Sequence, residues 1–144
     1  MNDYTVVIAT GGFDPIHSGH IAYLNEAKKL GNILYVGVNS DAWLVRKKGK
    51  EFMNWNERAL IVSNLKCVDS VVEFDDFDGS AKDAIAKVRK LHPHQKIIFA
   101  NGGDRVSSNI PEMDIKDSNI EFIFSVGGDY KMNSSSWILK SWKN

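Results

Sequence analysis

Residues Tyr4-Thr5-Val6-Val7-Ile8-Ala9-Thr10 run straight into Gly11-Gly12-Phe13-Asp14-Pro15-Ile16-His17-Ser18-Gly19-His20, after which Ile21, Leu24, Ala27 and Leu30 recur at helical spacing. The first segment reads as a short apolar strand, the second as a glycine turn, the third as an amphipathic helix. A strand-turn-helix junction exposes backbone N–H groups without intrahelical partners at the positive end of a helix dipole, so it attracts phosphate before any side chain is counted. His17 and His20 lie three apart, on one face of the starting helix, and Gly19 between them leaves the backbone open to close approach. Two imidazoles there suit a centre at which negative charge grows on phosphorus and on a leaving pyrophosphate. A histidine pair by itself would fit local capping or metal ligation equally well; the glycines, Asp14 and the flanks together favour a triphosphate site.

Outward from this junction, residues 33–39, 70–74, 96–100 and 120–124 are further short, apolar, β-rich segments. Helical patterns sit between them. The clearest is Ala81, Ala84, Ile85, Val88 and Leu91, with Ser80 as the expected N-cap and Pro93 closing it; another covers residues 56–66. Alternating strands and helices predict parallel strands joined by right-handed crossovers, that is, a single-domain α/β doubly wound sheet with helices on both faces. Ligands of such sheets bind beyond the carboxyl ends of the strands, where strand order reverses. Residues 106–119 are the least regular stretch.

The chain has 144 residues, 18 basic and 18 acidic, for a formal net charge of zero. That balance argues against a nucleic-acid or membrane-surface binder held by bulk charge and favours a small specific ligand. Cys67 is the sole cysteine, so neither an internal disulfide nor a cysteine zinc cage is expected. No apolar run approaches the roughly 20 residues of a membrane span, and the start lacks a signal-peptide pattern. The expectation is a cytoplasmic protein.

Three further motifs bear on chemistry. Arg46-Lys47-Lys48-Gly49-Lys50 is a basic run, which is either a solvated charge cluster or a phosphate-reaching loop. Asn101-Gly102-Gly103-Asp104-Arg105 follows a strand, where a glycine pair is either plain turn punctuation or a close approach of backbone to ligand. Ser134-Ser135-Ser136 opens an apolar helix and can cap it or donate to phosphate oxygens.

Taken with Val38-Asn39-Ser40-Asp41, Glu57-Arg58 and Lys131-Met132-Asn133-Ser134-Ser135-Ser136-Trp137-Ile138, these segments occur in the order of the cytidylyltransferase-like nucleotidyltransferases, whose HxGH signature the run from Gly12 to His20 resembles. The likeness covers nearly the whole chain and is similar in pattern to glycerol-3-phosphate cytidylyltransferase and to the nucleotidyltransferase domain of the ADP-heptose synthesis enzyme. It implies a Rossmann-like five-stranded sheet of order 3-2-1-4-5. It also implies transfer of a nucleoside monophosphate from CTP or ATP to a phosphorylated alcohol or sugar, with Mg²⁺ and without a covalent intermediate. A phosphate acceptor with a second pKa of about 6 needs no protein base. By this resemblance His17, His20 and a lysine of the run, Lys47 or Lys48, are catalytic. Gly11, Gly12, Phe13, Asp14, Gly19, Asn101, Gly102, Gly103, Lys131, Ser134, Ser135 and Ser136 bind nucleotide, with Asp14 also a metal candidate. Asp41, Arg58, Asp104 and Arg105 are the substrate-binding residues, Asp104 and Arg105 being candidates for recognising base, ribose or substrate phosphate, and a homodimer is expected.

Glycerol-phosphate cytidylyltransferases carry an arginine and a glycine just before the serine motif, where this chain has Asp129 and Met132. The overall pattern favours CMP transfer, with AMP transfer to a sugar or pantetheine-like phosphate as the alternative and an inactive nucleotide-binding module as the reading from another class. Trp43, Trp55, Trp137 and Trp142 read as core or interface residues, Trp55 being the one candidate for base stacking.

Overall fold

In the computed structural model, residues 3–103, 110–128 and 134–143 are described. Strand β1 (Thr5–Gly11) lies at the centre, paired in parallel with β2 (Ile33–Val38) on one side and β4 (Lys96–Ala100) on the other. Beyond them β3 (Ser70–Glu73) pairs with β2, and β5 (Ile120–Ile123) with β4, also in parallel. The order among the described residues is β3-β2-β1-β4-β5, as expected, so strand order reverses beside β1.

Alternation along the strands sorts their side chains into two cores. Val7 and Ala9 of β1, Leu34 and Val36 of β2 and Ile98 of β4 face Leu24 and Ala27 of α1 (Ser18–Lys28) and Val62 of α3 (Trp55–Ser63). Val6, Ile8, Ile97 and Phe99 face Ala84, Ile85 and Val88 of α4 (Lys82–Leu91) on the opposite side. Both faces are covered, which is why the central strands are apolar without interruption.

Two expectations are corrected. The basic run is not a loop: Asp41–Lys48 forms α2, capped by the Ser40 hydroxyl on the N–H of Trp43 and ended by Gly49 in the left-handed region (φ 93°), which places the cations in the last turn, where the helix dipole favours them. Ser80 is not the N-cap of α4. Ala81 holds that position, its N–H donated to the buried carboxylate of Glu112 at 2.6 Å from a 3-10 turn (Pro111–Asp114), and Ser80 Oγ accepts the N–H of Lys82 instead.

Phe99 is fully buried whereas Leu60 on α3 is 61% exposed. Phe99→Ala is expected to lower stability by about 3–5 kcal/mol and Leu60→Ala to stay within about 0.5 kcal/mol, read from urea unfolding midpoints.

Candidate functional site

His17 is the N-cap of α1: its Nδ1 accepts the N–H of Gly19 at 3.0 Å, while Nδ1 of His20 accepts the N–H of His17 at 3.2 Å. This is a capping box built from two imidazoles in place of the usual hydroxyl and carboxylate. A ring nitrogen that accepts a hydrogen bond carries no proton, so each neutral ring holds its proton on Nε2. The rings stack with centroids 3.9 Å apart, and the edge of Phe13 meets His20 at 4.9 Å. Burial, then His17, then the Lys47 charge push the His20 pKa down to about 3. The pair therefore offers neutral N–H donors at a helix N-terminus, suited to phosphate oxygens.

Asp14 is buried, and its oxygens accept the N–H groups of Phe52 and Met53, both at 2.6 Å. Lys48 Nζ lies 2.9 Å from Oδ2 and donates to the Asp14 carbonyl at 2.6 Å. Asp14 thus ties the histidine loop to the segment before α3. Lys48 is held there; Lys47 rests over the Trp43 indole, 4.7 Å from its centroid, and its charge bears on His20. Phe13 holds a left-handed backbone (φ 52°) with its ring buried, a conformation unusual for an aromatic residue and kept here by the packing of that ring in the core.

Arg58, expected from the sequence among the substrate-binding residues, is fully buried, with its donors turned onto the framework. Its Nε donates to the Met53 carbonyl at 2.9 Å, Nη1 to those of Gly12 and Asn39 at 2.9 and 2.7 Å, and Nη2 to Asp41 Oδ1 at 2.6 Å. Asp41 is consequently a partner of Arg58. Trp55 is half-buried against the core with its indole N–H on the Val38 carbonyl, so it is no stacking platform.

Across β1, buried Asn101 sends its amide N–H groups to the carbonyls of Phe99 in β4 and Ile123 at the end of β5, leaving Oδ1 without a partner. Gly102 has no room for a side chain: a Cβ would stand 2.9 Å from the Tyr23 ring of α1. Gly103 turns with φ 62° and faces open space. Ser134 caps α5 (Ser135–Lys143) through the N–H of Trp137, and its hydroxyl lies 3.4 Å from that of Ser136. Ser135 Oγ donates to the Pro15 carbonyl at 2.8 Å, which joins the serine motif to the histidine loop. Asp104, Arg105 and Lys131 lie outside the described residues.

Sequence reasoning missed two residues. Asp76, buried after β3, accepts from Asn39 Nδ2, the Ser40 N–H and the Ser40 hydroxyl at 3.0, 2.8 and 2.6 Å, and so sets the start of α2. Its only signal is an acidic residue just past a strand end. Gly127, at φ 85°, lies against the α1 backbone, where a Cβ would come within 2.9 Å of Tyr23 Cα.

Among the described residues no three histidine, cysteine or acidic side chains converge as metal ligands. Asp14, the metal candidate, spends its oxygens on two amides and an ammonium. With its carboxylate already engaged by three donors, Asp14 does not by itself make a cation site.

The family model described as cytidylyltransferase-like matches residues 8–137. The chain belongs to the cytidylyltransferase-like family. With that membership comes the nucleotidyltransferase superfamily. The chain is 35% identical over 140 residues to the bifunctional protein HldE of Syntrophotalea carbinolica, a match covering 94% of this chain and 27% of that protein. It thus spans about a quarter of the length of the curated relatives it matches. It is similar in structure, at 28% identity and a TM-score of 0.66, to the lipopolysaccharide core biosynthesis protein from Thermoplasma volcanium, covering 89% of this chain and 99% of the other. A Plasmodium falciparum nicotinic acid mononucleotide adenylyltransferase complexed with NaAD shares the fold (TM-score 0.51, 17% identity, 94% and 82% covered). No described helix is long and apolar enough to cross a membrane.

In this family member a buried cation and a neutral histidine give separable tests. Arg58→Met leaves three carbonyls unpaired and is expected to cost about 3–5 kcal/mol in urea unfolding. Because the His20 pKa in the fold lies below its ordinary 6.5, the unfolded chain binds the extra proton first, so stability falls as pH drops from 6.5 towards about 3. His20→Gln, which keeps the capping box, is expected to show a shallower fall over that window; an identical slope in both proteins contradicts the assignment.

Proposed function

We propose that this chain transfers AMP from ATP to a sugar phosphate and releases pyrophosphate. The carrying observation is the pair of stacked, neutral imidazoles fixed at the N-terminus of α1, next to Lys47 and to the serine motif of α5. An acceptor phosphate oxygen forms a bond to the α-phosphorus while the bond from that phosphorus to the oxygen bridging to the β-phosphate breaks, and pyrophosphate leaves with the electron pair. No base is required, since the acceptor is already ionised at neutral pH. His17 and His20 donate through Nε2 to oxygens on which charge grows, and their neutrality means no proton has to be lost or gained on the way. Lys47 supplies positive charge to the leaving phosphates, the serine hydroxyls of α5 add donors, and Gly102-Gly103 admits the nucleoside beside β4. Mg²⁺, if carried in on the nucleotide, would offset part of the phosphate charge, alongside the positive charge of Lys47.

ATP is preferred to the CTP favoured by the motif pattern for two reasons. The curated relatives are HldE proteins, of the ADP-heptose synthesis enzyme, and ADP in that product requires an AMP donor. The chain also has Asp129 and Met132 where glycerol-phosphate cytidylyltransferases have arginine and glycine. The likeness to a lipopolysaccharide core biosynthesis protein points the acceptor towards a sugar phosphate rather than glycerol phosphate.

Pyrophosphate release is to be measured with ATP and with CTP against sugar 1-phosphates and glycerol 3-phosphate. Release with ATP and a sugar phosphate supports the reading, CTP alone reverses the donor, and nucleotide binding with no release in any pairing replaces enzyme by binding module. His17→Asn keeps an N-cap acceptor and removes the imidazole. It is expected to lower kcat by roughly two to three orders of magnitude with Tm held within about 3 °C; undiminished kcat would sink the catalytic assignment.

A further inference from the structure

We propose that Trp43 is a positioning residue that holds the Lys47 ammonium against the histidine pair, making Lys47 the cation of the basic run that serves the phosphates. The proposal rests on the reading of His17, His20 and Lys47 as the transfer site.

Each cation of α2 has its own surroundings, and it is the Lys47 ammonium that lies over the Trp43 indole. Arg46 Nη2 donates to the Asp76 carbonyl at 2.9 Å and its guanidinium lies over the Phe77 ring at 5.5 Å, on the β3 side. Lys48 is held by Asp14. Lys47 stands one helical turn after Trp43, an i,i+4 pair on one face of α2, with Nζ over the indole. Trp43 is itself braced on both sides. Its backbone N–H is held by the Ser40 cap, which Asp76 fixes in turn. Its ring edge lies against Gly12, where a Cβ would come within 3.4 Å of Cζ3 and 3.0 Å of Leu44 Cδ2. The indole therefore spans from the glycine turn of the histidine loop to the lysine ammonium.

That bridge has an electrostatic consequence at the far side. His20 is faced by the Phe13 ring, by the stacked ring of His17 and by the Lys47 charge, and the last two both disfavour its protonation. A long lysine side chain samples many rotamers, and ordering it on binding costs conformational entropy. An indole face that already holds it removes part of that cost before the nucleotide arrives.

The test uses Trp43→Leu, Trp43→Phe, Lys47→Met and the Trp43→Leu/Lys47→Met double variant, each checked for folding by thermal melting. Trp43→Leu is expected to lose roughly tenfold in kcat/KM for the nucleotide, and Trp43→Phe, which keeps a ring face, to recover most of that loss. The double variant is expected to be no worse than Lys47→Met alone, since Trp43 acts only through Lys47; losses that multiply overturn the proposal. An independent arm needs no substrate. The His20 imidazole followed by NMR titration in the free protein is expected to gain affinity for protons in Trp43→Leu and in Lys47→Met, and to remain near the parent value in Trp43→Phe. If the parent chain transfers no nucleotide, the proposed function fails, while this titration still decides whether Trp43 places Lys47 beside His20; no change in Trp43→Leu overturns the placement.

Discussion

The buried guanidinium of Arg58 is the constraint on which the rest of the site depends. Its donors reach the carbonyl at the turn after β1, the carbonyl after β2, the carbonyl before α3 and the carboxylate that begins α2. Removing a cation from water costs several kcal/mol even after relaxation, and that cost is offset only while every acceptor stays in place. One side chain therefore couples the positions of four backbone segments. A planar fork of donors does this where a lysine ammonium on a flexible stem would not.

Around that clamp the charges are divided between two kinds of group. His20 is held neutral by burial, by the neighbouring His17 and by the Lys47 charge, and the Nδ1 atoms of both imidazoles accept N–H groups of the α1 cap. The cations come from α2, whose C-terminal end suits them through the helix dipole and whose N-terminal end is fixed by Asp76 and Ser40. Neutral donors and a separate cation can both face phosphate without repelling each other strongly, and neither has to change protonation during transfer. Asp14 serves the same arrangement from the inside, since its carboxylate orders two amides and takes up Lys48.

Much of this was legible in the chain. Alternation in the central strands, the glycine turn after β1 and the helical spacing from Ile21 onward each follow from local periodicity and turn chemistry, and they placed His17, His20, the Gly102 turn and the serine motif at strand ends or helix starts. Less legible were residues whose role comes from partners distant in sequence. Arg58 reads as one more helical arginine until its acceptors from residues 12 and 39 are seen, and Asp76 lies 36 residues from the serine it orients. The basic run looked like a loop because lysines and arginine carry no apolar stripe; only Leu44 is buried along that helix.

Sequence by itself determined the parallel α/β architecture, the family and the set of residue types that gather around a phosphate, because those depend on periodicity and on short local motifs. Tertiary structure decided which of these residues face the site and in what chemical state. It committed Lys48 to Asp14, sank Arg58 and Trp55 into the framework, set Lys47 over the Trp43 indole and turned the Nδ1 atoms of both imidazoles onto backbone N–H groups. Those outcomes turn on which acceptor meets which donor across the sheet ends, and no spacing along the chain contains that information.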